Sequence, residues 1–131
     1  MSLTVDDRLL EKAREGEVDD EAFVECVRTS LPYAWSVVSD VVGRMRATDD
    51  GFADNQTPPP DERSRGELLR VLASDAMRGA LERHFGVRLA FQNCHRLAAF
   101  APGAAGTAER HARFVSPRAQ LLNQSPDLVD C

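Results

Sequence analysis

A chain of 131 residues, 43% apolar and 28% charged, has the size of one domain and the composition of an ordinary globular fold, which excludes wholly disordered, collagen-like and disulfide-built architectures. Sixteen basic against twenty-one acidic residues leave a net charge of −5, which argues against bulk attraction to nucleic acid or anionic membrane. No run of eighteen apolar residues occurs, and the opening MSLTVDDRLL lacks a basic region followed by an apolar one, so no membrane span or secretory leader is expected and the chain is assigned to the cytoplasm.

Thr4 with Asp7 reads as a capping box for a first helix that carries Leu9 and Leu10 and ends at Gly16. From Asp20 to Arg46 the apolar residues, among them Phe23, Val27, Leu31, Trp35, Val38, Val42 and Met45, step by three and four and form one stripe. Pro32 lacks an amide hydrogen, so this segment is two helices or one bent helix with a continuous apolar seam. Residues 47–63, with Asp-Asp-Gly and three consecutive prolines, are expected to be an exposed Pro-rich loop. Phe52, alone in that polar setting, either tucks into the core or serves as an exposed anchor, and the first option agrees with the usual behaviour of apolar side chains.

Ser64 with Glu67 suggests a second capping box that opens one helix over 64–85, with Leu68, Leu69, Leu72, Ala73, Ala76, Met77 and Ala80 on its buried face and Gly86 as its C-terminal cap. The period then changes to two. Val87, Leu89 and Phe91 alternate with Arg88 and Ala90, and Arg96 to Phe100 is again strand-like, so a β-hairpin is predicted that must pack on the helices or gain strands from a partner chain. Pro102 to Gly106 is a flexible loop, Ser116-Pro117 starts a brief helix through Leu122, and residues 123–131 are read as a surface tail. The fold class is α+β and helix-rich, a single domain of three to four helices packed with a C-terminal hairpin.

The stretches LPYAWSVVSDVV (31–42), FADNQTPPP (52–60), LASDAMRGALERHFGVRLAFQNCHRLAAF (72–100) and LLNQSPDLVDC (121–131) resemble a family of small actinobacterial proteins typified by Streptomyces members. The resemblance spans nearly the whole chain and agrees with an arginine excess, fifteen arginines against the single Lys12, of the kind a GC-rich genome produces. It implies no activity, cofactor or catalytic residue.

Three constellations are candidates for chemistry or contact. Cys94 beside His95 in the hairpin turn, with Asn93 and the more distant His84, could form a nucleophile pair or metal ligands, although neighbouring strand residues face opposite ways. A buried thiol next to a turn histidine is the simpler account, and no metal or cofactor is expected. Residues 1–62 hold 15 acidic and 6 basic groups, a balance of −9, whereas residues 63–131 hold 6 and 10, a balance of +4. Arg65, Arg70, Arg78, Arg83, Arg88 and Arg96 could therefore form a basic face for phosphate, or pair with the acidic half. Glu67, Asp75 and Glu82 are expected to be solvated. Trp35 and Phe52 are candidate interface anchors. The leading expectation is a non-catalytic interaction or regulatory module with a protein partner or a second copy. A nucleic-acid-binding regulator using the arginines is one alternative, and a small enzyme or metal-binding protein centred on Cys94 and His95 is the other.

Overall fold

The computed structural model describes residues 3–55, 57–92 and 95–123. It shows an α+β fold in which helices predominate: α1 (Asp7–Glu15), α2 (Asp20–Ser30), α3 (Pro32–Arg46), β1 (Phe52–Asp54), α4 (Glu62–Leu72), α5 (Asp75–Phe85), β2 (Arg88–Gln92), β3 (Arg96–Phe100), α6 (Thr107–Phe114) and α7 (Pro117–Leu122). The three strands form one antiparallel sheet in the order β1-β3-β2.

Local chemistry accounts for most helix ends. Asp6, rather than Thr4, caps α1 by accepting from the Leu9 amide, and Gly16 ends that helix as expected. The long apolar seam is two helices: Leu31, with φ −130° and ψ 65°, closes α2 and precedes Pro32, which occupies the first position of α3. Leu31 is 1% exposed, so the break lies inside the core and the seam stays apolar across it. Ser116 caps α7 and Pro117 opens it, which agrees with the Ser-Pro signal.

The expected 64–85 helix is divided. Asp61, not Ser64, caps α4, and the Ser74 hydroxyl accepts from the Met77 amide to start α5 with Asp75 in its first turn. A good N-cap inside a continuous apolar period ends one helix and begins another. Of the expected buried face, Leu69, Ala73 and Ala76 are exposed rather than buried.

Residues 47–63 are not an exposed loop throughout. They contain β1, whose Phe52, Ala53 and Asp54 pair with Phe100, Ala99 and Ala98 of β3, and they end in the first turn of α4. The hairpin therefore gains its third strand from its own chain. Gly51 precedes β1 at φ +66°, and a Cβ there would lie 3.1 Å from both Ala104 and Thr107 and 3.2 Å from Ala101. Gly51→Ala is expected to cost about 2 kcal/mol through left-handed strain and crowding, seen as a lowered urea midpoint with an unchanged slope. A second unpredicted element is α6, which begins directly after the expected loop over residues 102–106. Asn123, the first residue of the expected tail, is 6% exposed and thus buried; the rest of that tail lies outside the described residues.

Strand alternation divides the sheet between two apolar clusters. Leu89, Leu97 and Ala99 face the main core with α2, α3, α4 and α5, centred on Val27, Val38, Val41, Leu68, Leu72 and Leu81. Ala90, Ala98 and Phe100 face the other way onto Phe114 of α6, with Phe52 against them. Both faces of the sheet are covered, and β2 is left as an edge strand between α5 and α6.

Candidate functional site

The predicted polar site divides between different surroundings. His84, in the last turn of α5, is exposed and lies against Trp35 and Phe85, with ring centroids 5.5 and 4.7 Å away. His95, at the hairpin turn, is half-buried, and its carbonyl accepts from Asn55 Nδ2. Burial, then the nearby Arg65 guanidinium, push the His95 imidazole below its ordinary value. Asn93 and Cys94 lie outside the described residues, as does Cys131. Cys26 is buried and its thiol donates to the Thr4 carbonyl. Among the described residues no group of three or more His, Cys, Asp or Glu side chains is arranged to hold a metal ion.

The arginines largely meet the acidic half. Arg83 of α5 pairs with Asp20 of α2 through two hydrogen bonds of 2.5 and 2.9 Å, which draws the Asp20 carboxyl below its ordinary value and raises the guanidinium. Both groups are exposed, so this pair mainly orients α2 on α5. Arg96 of β3 donates at 2.9 and 2.6 Å to the buried Asp54 of β1 and lies over the Phe114 ring. Arg78 donates to Asp75 at 2.6 Å and to the Leu72 carbonyl at 3.0 Å. Arg65 is half-buried near His95, and Arg70 is exposed on α4. Three of the six candidates are thus committed to carboxylates within the fold.

Two of the three carboxyl groups expected to be solvated have structural roles. Glu67 is 6% exposed, and its Oε1 accepts from the Tyr33 amide at 2.9 Å and the Ala34 amide at 3.3 Å. Glu82 Oε2 accepts from the Leu89 amide at 2.9 Å. Asp75 remains exposed. The candidate anchors are partly internal: Trp35 packs on Phe85 with centroids 5.3 Å apart, while Phe52 packs on Phe100 at 5.2 Å and lies beneath the Arg110 guanidinium, 3.8 Å from its ring centroid.

What remains is a cleft of about 480 Å³ along the β2 edge. Its lining includes Arg78 and Glu82 of α5, Arg88 and Phe91 of β2 and His111 of α6, together with the buried Leu72 and Leu89. Burial is the main reason that the His111 imidazole lies below its ordinary value; Arg88 adds to the shift and Glu82 opposes it. Arg88 and His111 also line a smaller cavity of about 230 Å³ beside Phe100 and Thr107, so these two side chains stand between the two spaces. The sequence grouped Arg78 with Arg88 on a candidate basic face, but nothing in it linked His111 to them; all three line this cleft. Another groove, of about 740 Å³, runs between Tyr33, Val37 and Arg44 of α3 and the prolines Pro58 and Pro60.

The histidine shifts have a stability consequence. His95 and His111 both titrate below the ordinary 6.5 in the folded chain, so near that value the unfolded chain takes up protons that the folded chain refuses. Stability is therefore fully present above pH 6.5, falls as pH drops below it, and levels off once the folded-state values are passed. Urea midpoints between pH 7.5 and 5 are expected to decline, with a shallower decline in His111→Gln; a flat profile would exclude the effect.

Among the described residues no helix is long and apolar enough to cross a membrane. No curated protein and no solved structure matches the chain. A family model, KH_NucS_shadow, matches all of residues 1–131, and by that match the chain belongs to the family described as "NucS shadow ORF".

Proposed function

We propose that the chain is a non-catalytic interaction or regulatory module of the actinobacterial cytoplasm, with the cleft between α5, β2 and α6 as its recognition surface. The observation that carries this reading is the division of labour among its charged groups. Glu67, Glu82, Asp54, Arg83 and Arg96 serve backbone amides or ion pairs, whereas Arg88 and His111 line the open cleft. Affinity capture from cells with the wild-type chain and with Arg88→Glu tests it, together with light scattering for self-association. Recovery of a defined partner by wild type only, at equal thermal stability, supports the reading. Equal recovery by both chains, or a strict monomer with no recoverable partner, overturns it.

The family's name carries "KH", and KH modules clamp a nucleic-acid backbone with a GXXG loop. Here the chain's Gly-x-x-Gly, Gly103-Ala104-Ala105-Gly106, joins β3 to α6, and the connection between α4 and α5 is Ala73-Ser74, so among the described residues no such loop joins two helices. Nucleic-acid binding is consequently the second reading. It predicts affinity for single-stranded RNA or DNA that falls steeply with salt, and no binding at low salt ends it.

The words "shadow ORF" describe a reading frame rather than an activity. The fold favours a product maintained as a protein: Asp6, Asp61, Ser74 and Ser116 each accept from the amide three residues on, and the apolar seam of Val27, Leu31, Val38, Val42 and Met45 stays buried across α2 and α3. Agreement between local signals and global packing is the mark of a sequence shaped to fold. Targeted mass spectrometry of lysates for the tryptic peptide spanning residues 29–44 checks this, and its absence through all growth phases would argue for an untranslated frame.

A further inference from the structure

We propose that α6, with α7 packed on it, is a hinged flap over the second face of the sheet: it swings away about Gly106 while the main core stays folded, and in doing so carries His111 out of the cleft beside β2.

The first argument is how little holds the flap. Thr107 and Phe114 are the buried residues of α6, and α7 has none. The principal neighbour of α7 is α6, and those of α6 are β2 and α7, so the two helices form one unit outside the main cluster built by α2, α3, α4 and α5. Three ring contacts fasten that unit to the sheet: Phe114 against Phe100, His111 edge-on to the same ring, and the Arg110 guanidinium over Phe52. Local opening follows local burial, so this unit opens at lower cost than the whole fold.

The second argument is a latch that is only half satisfied. Gln92 is buried, and its Nε2 donates to the Phe114 carbonyl at 2.9 Å. Its Oε1 is buried without a hydrogen-bond partner among the described residues. An acceptor in that state is destabilising until water reaches it, so the closed position carries a cost that opening removes.

The hinge gives the third argument. Gly106 stands directly before α6 at φ +78°, and a Cβ placed there would meet nothing within 4 Å, so its backbone angles can change without a clash. It offers α6 no side-chain cap. The near end pivots at Thr107, whose hydroxyl lies 3.0 and 2.8 Å from the carbonyls of Ala101 and Ala104. Opening uncovers Phe52, Ala98 and Phe100 and takes His111 and Val115 out of the cleft lining, so the position of α6 sets the width of that cleft.

Hydrogen exchange of the full chain at rising sub-denaturing urea tests the flap. A helix of eight residues is unstable alone, so its amides exchange whenever it leaves the sheet. Amides of residues 110–114 are expected to be protected about 100-fold less than those of residues 68–72, with a much smaller dependence on urea. Phe114→Leu should speed exchange at 110–114 about tenfold, equivalent to about 1.4 kcal/mol, and Arg110→Gln about threefold through the lost cation–π contact. Both should leave residues 68–72 unchanged, and Arg118→Gln on exposed α7 should change neither set. Equal protection and equal urea dependence in the two helices overturns the flap, as does a Phe114→Leu effect of the same size in both or no acceleration at 110–114 in either variant. Partner capture bears only on the cleft as a recognition surface, so the flap and that reading can each fail without the other.

Discussion

Glu67→Ala is expected to destabilise the fold by about 3 kcal/mol, since loss of a buried acceptor leaves each stranded donor costing about 1–3 kcal/mol. The amides of Tyr33 and Ala34 stand at the start of α3, where a helix has no internal acceptors for its first N–H groups. Leu31, the residue in the capping position, makes no side-chain capping hydrogen bond. Glu67 fulfils that role from α4, 34 and 33 residues away. Because it is 6% exposed, water cannot readily replace it. Glu67→Gln keeps an oxygen at the same place and should cost only about 1 kcal/mol. Glu67→Met keeps the bulk without the acceptor and should behave like alanine. Urea unfolding of the three variants decides the matter: a methionine variant within about 0.5 kcal/mol of wild type would show that volume, not capping, is what Glu67 supplies.

Phe100→Ala should cost about 4 kcal/mol, in the range for deleting a buried aromatic ring. Phe100 is 1% exposed and lies at the centre of the smaller cluster, with ring centroids 5.2 Å from Phe52, 5.1 Å from His111 and 5.9 Å from Phe114. These contacts join β1, β3 and α6 on the sheet face away from the main core. Removing the ring should therefore loosen α6 before α4 or α5. Hydrogen exchange reads this directly: amides of residues 110–114 should lose protection in Phe100→Ala while those of residues 68–72 keep it relative to global stability. Phe100→Leu, which retains most of the volume, should cost about 1.5 kcal/mol. Uniform loss of protection across both helices would mean that the two clusters unfold as one unit.

The family match over residues 1–131 agrees with the whole-chain extent of the resemblance, and the fold class was legible from periodicity. The division of the first long seam at Pro32, the hairpin over residues 87–100 and the Ser116-Pro117 helix start are all local signals, read within a few residues. Ser74 followed by Asp75 was also a local signal, outweighed by an apolar spacing that ran unbroken across it. Strand β1 gave no comparable sign. Three residues in a polar, proline-rich stretch become a strand because β3 offers a pairing edge and Arg96 a counter-charge for the buried Asp54.

The sequence by itself determined where apolar faces begin and end, which turns break them, and that positive charge collects after residue 62. Those properties depend on residue type and spacing alone, and backbone geometry translates spacing into faces. Only the tertiary structure decided what the charges do. Coulomb and hydrogen-bond energies depend on distances of a few ångströms, and Glu67 with Tyr33, Arg83 with Asp20 and Arg96 with Asp54 are separated by 34, 63 and 42 positions in the chain. The same reason placed Arg78, Arg88 and His111 around one cleft, the arrangement on which a reading of function for this chain depends.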